Sequence, residues 1–93
     1  MKSTHTDCAV SKTATLLSDP WTMLIIHDLL ASPLRFCELE RSLTGISTRT
    51  LTLKLKRLET EGIVEKKDEV HYSLTVLGKK LKKVISAMEA WGQ

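Results

Sequence analysis

Apolar positions along the chain fall into helical and extended stretches separated by clear punctuation. Val10, Ala14 and Leu17 recur at i, i+4 and i+7, which predicts a short helix over Cys8–Leu17. Asp19-Pro20 is a start signal, with Asp as N-cap and Pro at the first helical position, and the next helix runs from Pro20 to about Ala31. Its apolar residues Trp21, Met23, Leu24, Ile25, Ile26, Leu29 and Leu30 surround the axis, so it is expected to be central and buried on most sides. Ser32-Pro33 stops it. Leu34-Arg35-Phe36 has room only for a brief extended link or a single bridge. Phe36–Leu43 reads as a short helix with Phe36, Leu39 and Leu43 inward, and Thr44-Gly45-Ile46 as a turn. Ser47 then caps a longer helix, Thr48–Glu61, closed by Gly62, with Leu51, Leu55 and Leu58 as its inner stripe. Ile63–Lys67 and Val70–Leu74 read as the strands of a small hairpin around an Asp68-Glu69 turn. Thr75 caps a final helix through about Trp91, with Leu77, Leu81, Val84, Ile85 and Met88 on one face.

The resulting order is α-α-(β)-α-α-β-β-α, mainly α with a small β-hairpin. Two helices meet at a tight turn and the second is followed at once by the hairpin. That is the winged helix-turn-helix arrangement. Met1–Asp7 reads as a mobile tail, and residues 8–93 as one domain that includes the terminal helices. At 93 residues a chain hides only roughly 60–65% of the surface its unfolded form exposes, so a partner subunit would help its core.

Hydrophobic residues are 42% and charged residues 27%, an ordinary globular balance that argues against disorder. Aromatics are only 4%, so the core must be aliphatic and no stacking platform for single strands is expected. No apolar run approaches the ~20 residues of a membrane span, and the polar first ten residues lack a signal peptide's apolar stretch, so a cytoplasmic location is expected. Cys8 and Cys37 show neither C-x-x-C nor zinc-ligand spacing, and no metal is expected. Gly45, Gly62, Gly78 and Gly92 stand alone and form no phosphate loop. His5, His27 and His71 have no carboxylate at a persuasive spacing, and His27 reads as a helix-surface or core-rim residue. No catalytic residue, cofactor or enzymatic activity follows.

The net charge of +3 decides little; its placement matters more. Arg49, Lys54, Lys56 and Arg57 lie in a stretch without an acid. At 100° per residue, Arg49, Thr52, Leu53 and Lys56 oppose the inner stripe, with Arg57 and Thr50 on the flanks. A basic, hydroxylated helix face of this kind suits the major groove, where Arg pairs with guanine and an exposed Leu53 meets a thymine methyl. The plainer reading is a solvated face with one stray Leu. Ser47, Thr48 and the free N–H groups of the helix start form a phosphate site, a simple cap, or both. In the wing, Lys66 and Lys67 reach phosphate and a protonated His71 would help, with Arg35 on the flank. The acidic tip should keep the wing along the backbone rather than in the minor groove, and a hairpin that merely closes the core is the alternative. Lys79, Lys80, Lys82 and Lys83 read as a solvated face rather than a DNA contact.

The final helix carries more apolar surface than a small core needs. Leu81, Ile85, Met88 and Trp91, with Val10, Ala14 and Leu17 of the first helix, are expected to bury against a second copy. A two-fold dimer would place two recognition helices ~34–36 Å apart on a pseudopalindromic operator. Cys8 opens the first helix, where the helix dipole favours a thiolate near that interface. It is either an oxidation switch or an inert free thiol. Cys37, beside Phe36, reads as a small packing residue.

Taken together, the stretches Trp21 to Leu30, Arg35 to Leu43, Gly45-Ile46-Ser47, Leu51 to Glu59, Glu61 to Val64 and Tyr72 to Gly78, with the terminal Trp91-Gly92, resemble the HxlR-type winged-helix transcriptional regulators, related in fold to MarR regulators. The resemblance covers Cys8 nearly to Gln93. It implies a homodimeric DNA-binding regulator joined through its first and last helices. It places Ser47, Arg49, Thr50, Leu53 and Lys54 in the recognition region, and it aligns Cys8 with the N-terminal cysteine by which several such regulators sense electrophiles or oxidants. Three departures from the family pattern matter. Asp19-Pro20 replaces Gly-Lys, removing a basic residue near the DNA side. Thr48 replaces a frequent proline. The wing is short and lacks a Pro-rich segment, which weakens the case for minor-groove contacts and leaves major-groove reading intact. Two functions stay open: a sequence-specific regulator that represses by occupying a promoter, with its effector unknown, and a winged-helix module that binds protein without specific DNA affinity.

Overall fold

The computed structural model describes residues 8–93, and the tail expected over residues 1–7 lies outside them. Six helices and three short strands follow in the order α1 (Ala9–Leu17), α2 (Pro20–Ala31), β1 (Leu34–Arg35), α3 (Phe36–Ser42), α4 (Thr48–Thr60), β2 (Val64–Lys66), β3 (His71–Leu74), α5 (Val76–Lys79) and α6 (Lys82–Trp91).

Local chemistry starts most of these elements where the residues indicate. Cys8, Asp19, Ser47 and Thr75 are the N-caps of α1, α2, α4 and α5, each accepting a backbone N–H at its side chain. Gly45 and Gly62 take φ of +94° and +76°, ending the helix-turn-helix turn and closing α4. Helix α2 is the hub of the fold. It buries Met23, Ile25, Ile26 and Leu29 and touches α1, α3, α4, α6 and β3. Leu51, Leu55 and Leu58 of α4 and Leu39 and Leu43 from the start of the turn complete an aliphatic centre, joined by Ile63, Val64, Leu74 and Ile85.

Three features differ from the expectations. The stretch at Leu34-Arg35 is a true edge strand, so the hairpin becomes a three-stranded antiparallel sheet in the order β1-β3-β2, pairing Leu34 with Tyr72 and Val64 with Leu74. The final helix is broken in two. The Lys80 and Leu81 N–H groups donate to the Leu77 and Gly78 carbonyls at 3.2 and 3.0 Å, which tightens the chain into a 3₁₀-type corner. Gly78 is buried against the Ile63 carbonyl, so α5 is pinned to the entry of β2, and the corner turns α6 back across α2. Leu77 is therefore exposed rather than on a shared inner face, while Ile85 is 5% exposed and belongs to the core. Cys37, expected to pack, is exposed, because Phe36, Leu39 and Leu43 take the inner side of α3.

Candidate nucleic-acid interface

Helix α4 presents Arg49, Thr52, Leu53, Lys56 and Arg57 to solvent, opposite the buried Leu51, Leu55 and Leu58. Leu53 is 54% exposed. The helix is held from below by the aliphatic centre, so its outer face is a rigid display of three cations, a hydroxyl and one apolar side chain. At its N-terminus the Ser47 Oγ accepts from the Thr50 N–H at 3.0 Å, and the Ser47 hydroxyl donates to Thr50 Oγ1 at 2.9 Å. The Thr48 hydroxyl donates to a Glu40 carboxylate oxygen. A carboxylate from α3 thus already stands at this helix start, where the dipole favours negative charge. The phosphate site expected there is shared with Glu40, a tertiary contact that residue spacing does not reveal.

Lys54 differs from the other cations of α4. It is only half-exposed, and its ammonium pairs with the Asp19 carboxylate at the N-cap of α2. Burial alone would raise the Asp19 carboxyl. The hydrogen bond from Lys54, the Trp21 N–H, the Lys54 charge and the Thr22 hydroxyl together outweigh burial and hold it below its ordinary value. Lys54 is therefore not a free cation, as the sequence had suggested.

The wing is a closed local network. Lys66 lies over the Tyr72 ring with its ammonium 5.3 Å from the centroid, a cation–π contact between strand partners. Lys67 remains exposed, and its N–H ties the hairpin through the His71 carbonyl at 2.8 Å. Asp68 turns back into the loop. Its carboxylate accepts the N–H groups of Val70 and His71 at 2.8 Å each and meets the His71 Nδ1 at 3.0 Å. His71, expected to reach phosphate, is occupied by Asp68. Arg35 is likewise shared, its Nε 3.7 Å from Glu38 and its N–H donating to the same carboxylate. Tyr72 and Asp68 fall in the strand and turn expected of the wing, but their side-chain roles, as platform for Lys66 and as loop cap, do not follow from that placement alone. The first follows from the register of a hairpin containing Lys66, and the second from the Asx-type turn that an Asp initiates.

The N–H groups of Val70 and His71, with the His71 ring, lower the Asp68 pKa to about 2. A depressed carboxyl contributes order above its unfolded pKa near 3.8 and loses it as pH falls through the folded value. The Val70 and His71 amides should therefore be shielded from hydrogen exchange above about pH 4 and open progressively towards about pH 2. Asp68→Asn should remove that pH dependence in an NMR titration; amides that titrate identically in the variant would contradict the assignment.

The terminal helices carry the surface expected to meet a second copy. Val10 is 77% exposed, Met88 49% and Trp91 90%, and Ala14 is exposed one turn after Val10 on α1. Leu17 and Leu81 are half-buried against the subunit's own core, and Ile85 lies within it, so these residues are less available than expected. Cys8 is exposed, its Sγ accepting the Ser11 N–H at 3.2 Å. His27 bridges α2 to α6 through Glu89 at 3.1 Å, as a rim residue. Among the described residues no group of three or more His, Cys, Asp or Glu side chains is placed to hold a metal ion, and no helix is long and apolar enough to cross a membrane.

Residues 16–93 match the family model described as HxlR-like helix-turn-helix. The HTH-type transcriptional regulator sll1512 of Synechocystis is 35% identical over 91% of this chain and 67% of its own length. A MarR-family regulator from Porphyromonas gingivalis superposes with a TM-score of 0.89 at 34% identity, covering 99% of this chain and 96% of that one. The quinone-bound YodB of Bacillus subtilis superposes with a TM-score of 0.83 at 38% identity over 89% of this chain and 93% of that one, and YodB has also been solved in a reduced form.

Proposed function

The chain belongs to the HxlR-like helix-turn-helix family of transcriptional regulators, and from that premise we propose that it is a dimeric, sequence-specific repressor that reads the major groove with the outer face of α4. The observation that carries this reading is that face itself. Arg49, Lys56 and Arg57 are exposed around Leu53 and Thr52 on a helix anchored by three buried leucines. Arg49 and Thr52 contact base edges, Leu53 meets a thymine methyl, and Lys56, Arg57, Lys66 and Lys67 neutralise phosphates. Exposed apolar side chains of α1 and α6, chiefly Val10, Met88 and Trp91, support burial against a second copy related by two-fold symmetry. Repression follows from occupancy of a promoter.

Cys8 is the trigger in this reading. A quinone occupies the related YodB, and the Cys8 sulfur is exposed at the start of the helix that would enter the dimer interface. Oxidation or alkylation there adds bulk and removes the cap of α1, shifting the subunits.

Fluorescence anisotropy with the duplex upstream of the protein's own gene and a random duplex, at two salt concentrations and with or without a thiol oxidant, tests the whole reading. The expected result is tight, salt-sensitive binding that prefers one duplex and is lost on oxidation. Cys8→Ser should bind normally and ignore the oxidant, since Ser caps a helix well. An oxidant response unchanged by Cys8→Ser would remove Cys8 as trigger. Absence of binding to any duplex across an operator screen would favour the protein-binding module.

A further inference from the structure

Asp19 joins the start of α2 to the helix that faces DNA. Its carboxylate accepts the Trp21 N–H at 3.1 Å and the Thr22 hydroxyl at 3.3 Å, and it pairs with the Lys54 ammonium. The first two bonds hold the carboxylate in place independently of Lys54. The two side chains are 17% and 28% exposed, so the pair is partly withdrawn from solvent rather than a chance meeting of mobile surface groups. Lys54 follows Leu53 on α4 and lies at the side of the helix, between the exposed face and the buried leucine stripe. Of the basic residues of α4, only Lys54 has an ion-pair partner among the described residues.

A cation on the flank of a helix lying in the major groove is placed to meet the phosphate backbone. In this chain a carboxylate already occupies it. We propose that Asp19 is an internal phosphate mimic that withholds Lys54 from the DNA backbone and so lowers affinity for every duplex alike. The inference rests on the proposed reading of DNA by α4. An incoming phosphate either displaces Asp19 from Lys54 or tolerates its charge nearby. In both cases each subunit offers one net positive charge fewer, and one counterion fewer per subunit is released on binding. The contact touches no base, so it sets strength rather than sequence preference.

Asp19→Asn tests this cleanly, because Asn caps a helix as well as Asp does and its side-chain oxygen still accepts the Trp21 N–H. Circular dichroism and thermal melting verify that the variant is folded. Anisotropy titrations over a salt series, with a random duplex and with the upstream duplex, then give affinity and salt slope. The expected gain is about five- to tenfold per subunit at 0.1 M salt for both duplexes, with the slope of log K against log salt steeper by about one per subunit, or about two for the bound dimer. Asp19→Asn combined with Lys54→Met should return both quantities to wild-type values. An unchanged slope in Asp19→Asn, or a gain that survives in the double variant, overturns the proposal. Wild-type protein that binds no duplex overturns the DNA reading itself, a failure seen before any variant is made.

Discussion

Gly78→Ala is expected to cost far more stability than Gly92→Ala. A Cβ built at Gly78 falls 2.2 Å from the Ile63 carbonyl oxygen and 3.2 Å from its carbon. Ile63 cannot retreat freely, because that oxygen accepts the Thr75 N–H at 3.0 Å and its hydroxyl at 3.2 Å. Relief means lifting α5 off the sheet and moving the corner that directs α6 onto α2. Ala would gain roughly 1 kcal/mol of helix propensity over Gly. The overpacking cost sits at or beyond the top of its usual range of about 1–3 kcal/mol. A net loss of about 2–3 kcal/mol lowers the melting temperature of a domain this size by roughly 10–20 °C. Gly92→Ala is the matched control, since its Cβ meets nothing nearer than the Met88 carbonyl at 3.3 Å. Thermal unfolding of the two variants decides the matter; equal melting temperatures would show that α5 does not lean on Ile63 as described.

Arg49→Ala should have the largest effect on DNA binding. Arg49 is exposed in the first turn of α4, and no acidic side chain pairs with it among the described residues. Its guanidinium is therefore free to form the paired hydrogen bonds that select guanine. Loss of such a contact costs about 1–3 kcal/mol, or roughly 5- to 150-fold in affinity per half-site, and relaxes preference at one base position. Lys66→Ala should instead weaken all duplexes alike and lower the salt slope by about one per subunit. Lys82→Ala and Lys83→Ala should change neither quantity. Titrations of these variants on a set of duplexes with single base changes separate the outcomes. An Arg49→Ala variant that weakens every duplex equally would reassign Arg49 to phosphate.

The parts of this architecture that depend on near neighbours were legible from the residues. Asp19 and Ser47 cap their helices because a short polar side chain there satisfies an N–H two or three residues on. Leu51, Leu55 and Leu58 define the inner face of α4 by period alone, which fixes the opposite face as well. What escaped depends on contacts between distant segments. The break between α5 and α6 comes from a glycine meeting the Ile63 carbonyl, and no periodicity within Val76–Trp91 reveals it. The pairing of Lys54 with Asp19 needs α2 and α4 to be packed before it exists. Burial of Ile85 follows from the corner that precedes it, which turns part of an expected interface into core. The outward position of Cys37, by contrast, is local, since the helical period sets it away from Phe36, Leu39 and Leu43.

Whether the outer face of α4 is the surface that meets duplex DNA is tested most directly by titrating isotope-labelled protein with a short duplex at low salt and following backbone amide signals by NMR. The predicted shifts concentrate in Thr48–Arg57, with smaller ones at Lys66 and Lys67, while Lys79–Lys83 stay in place. Shifts centred on α5 and α6 with α4 unmoved would contradict the account.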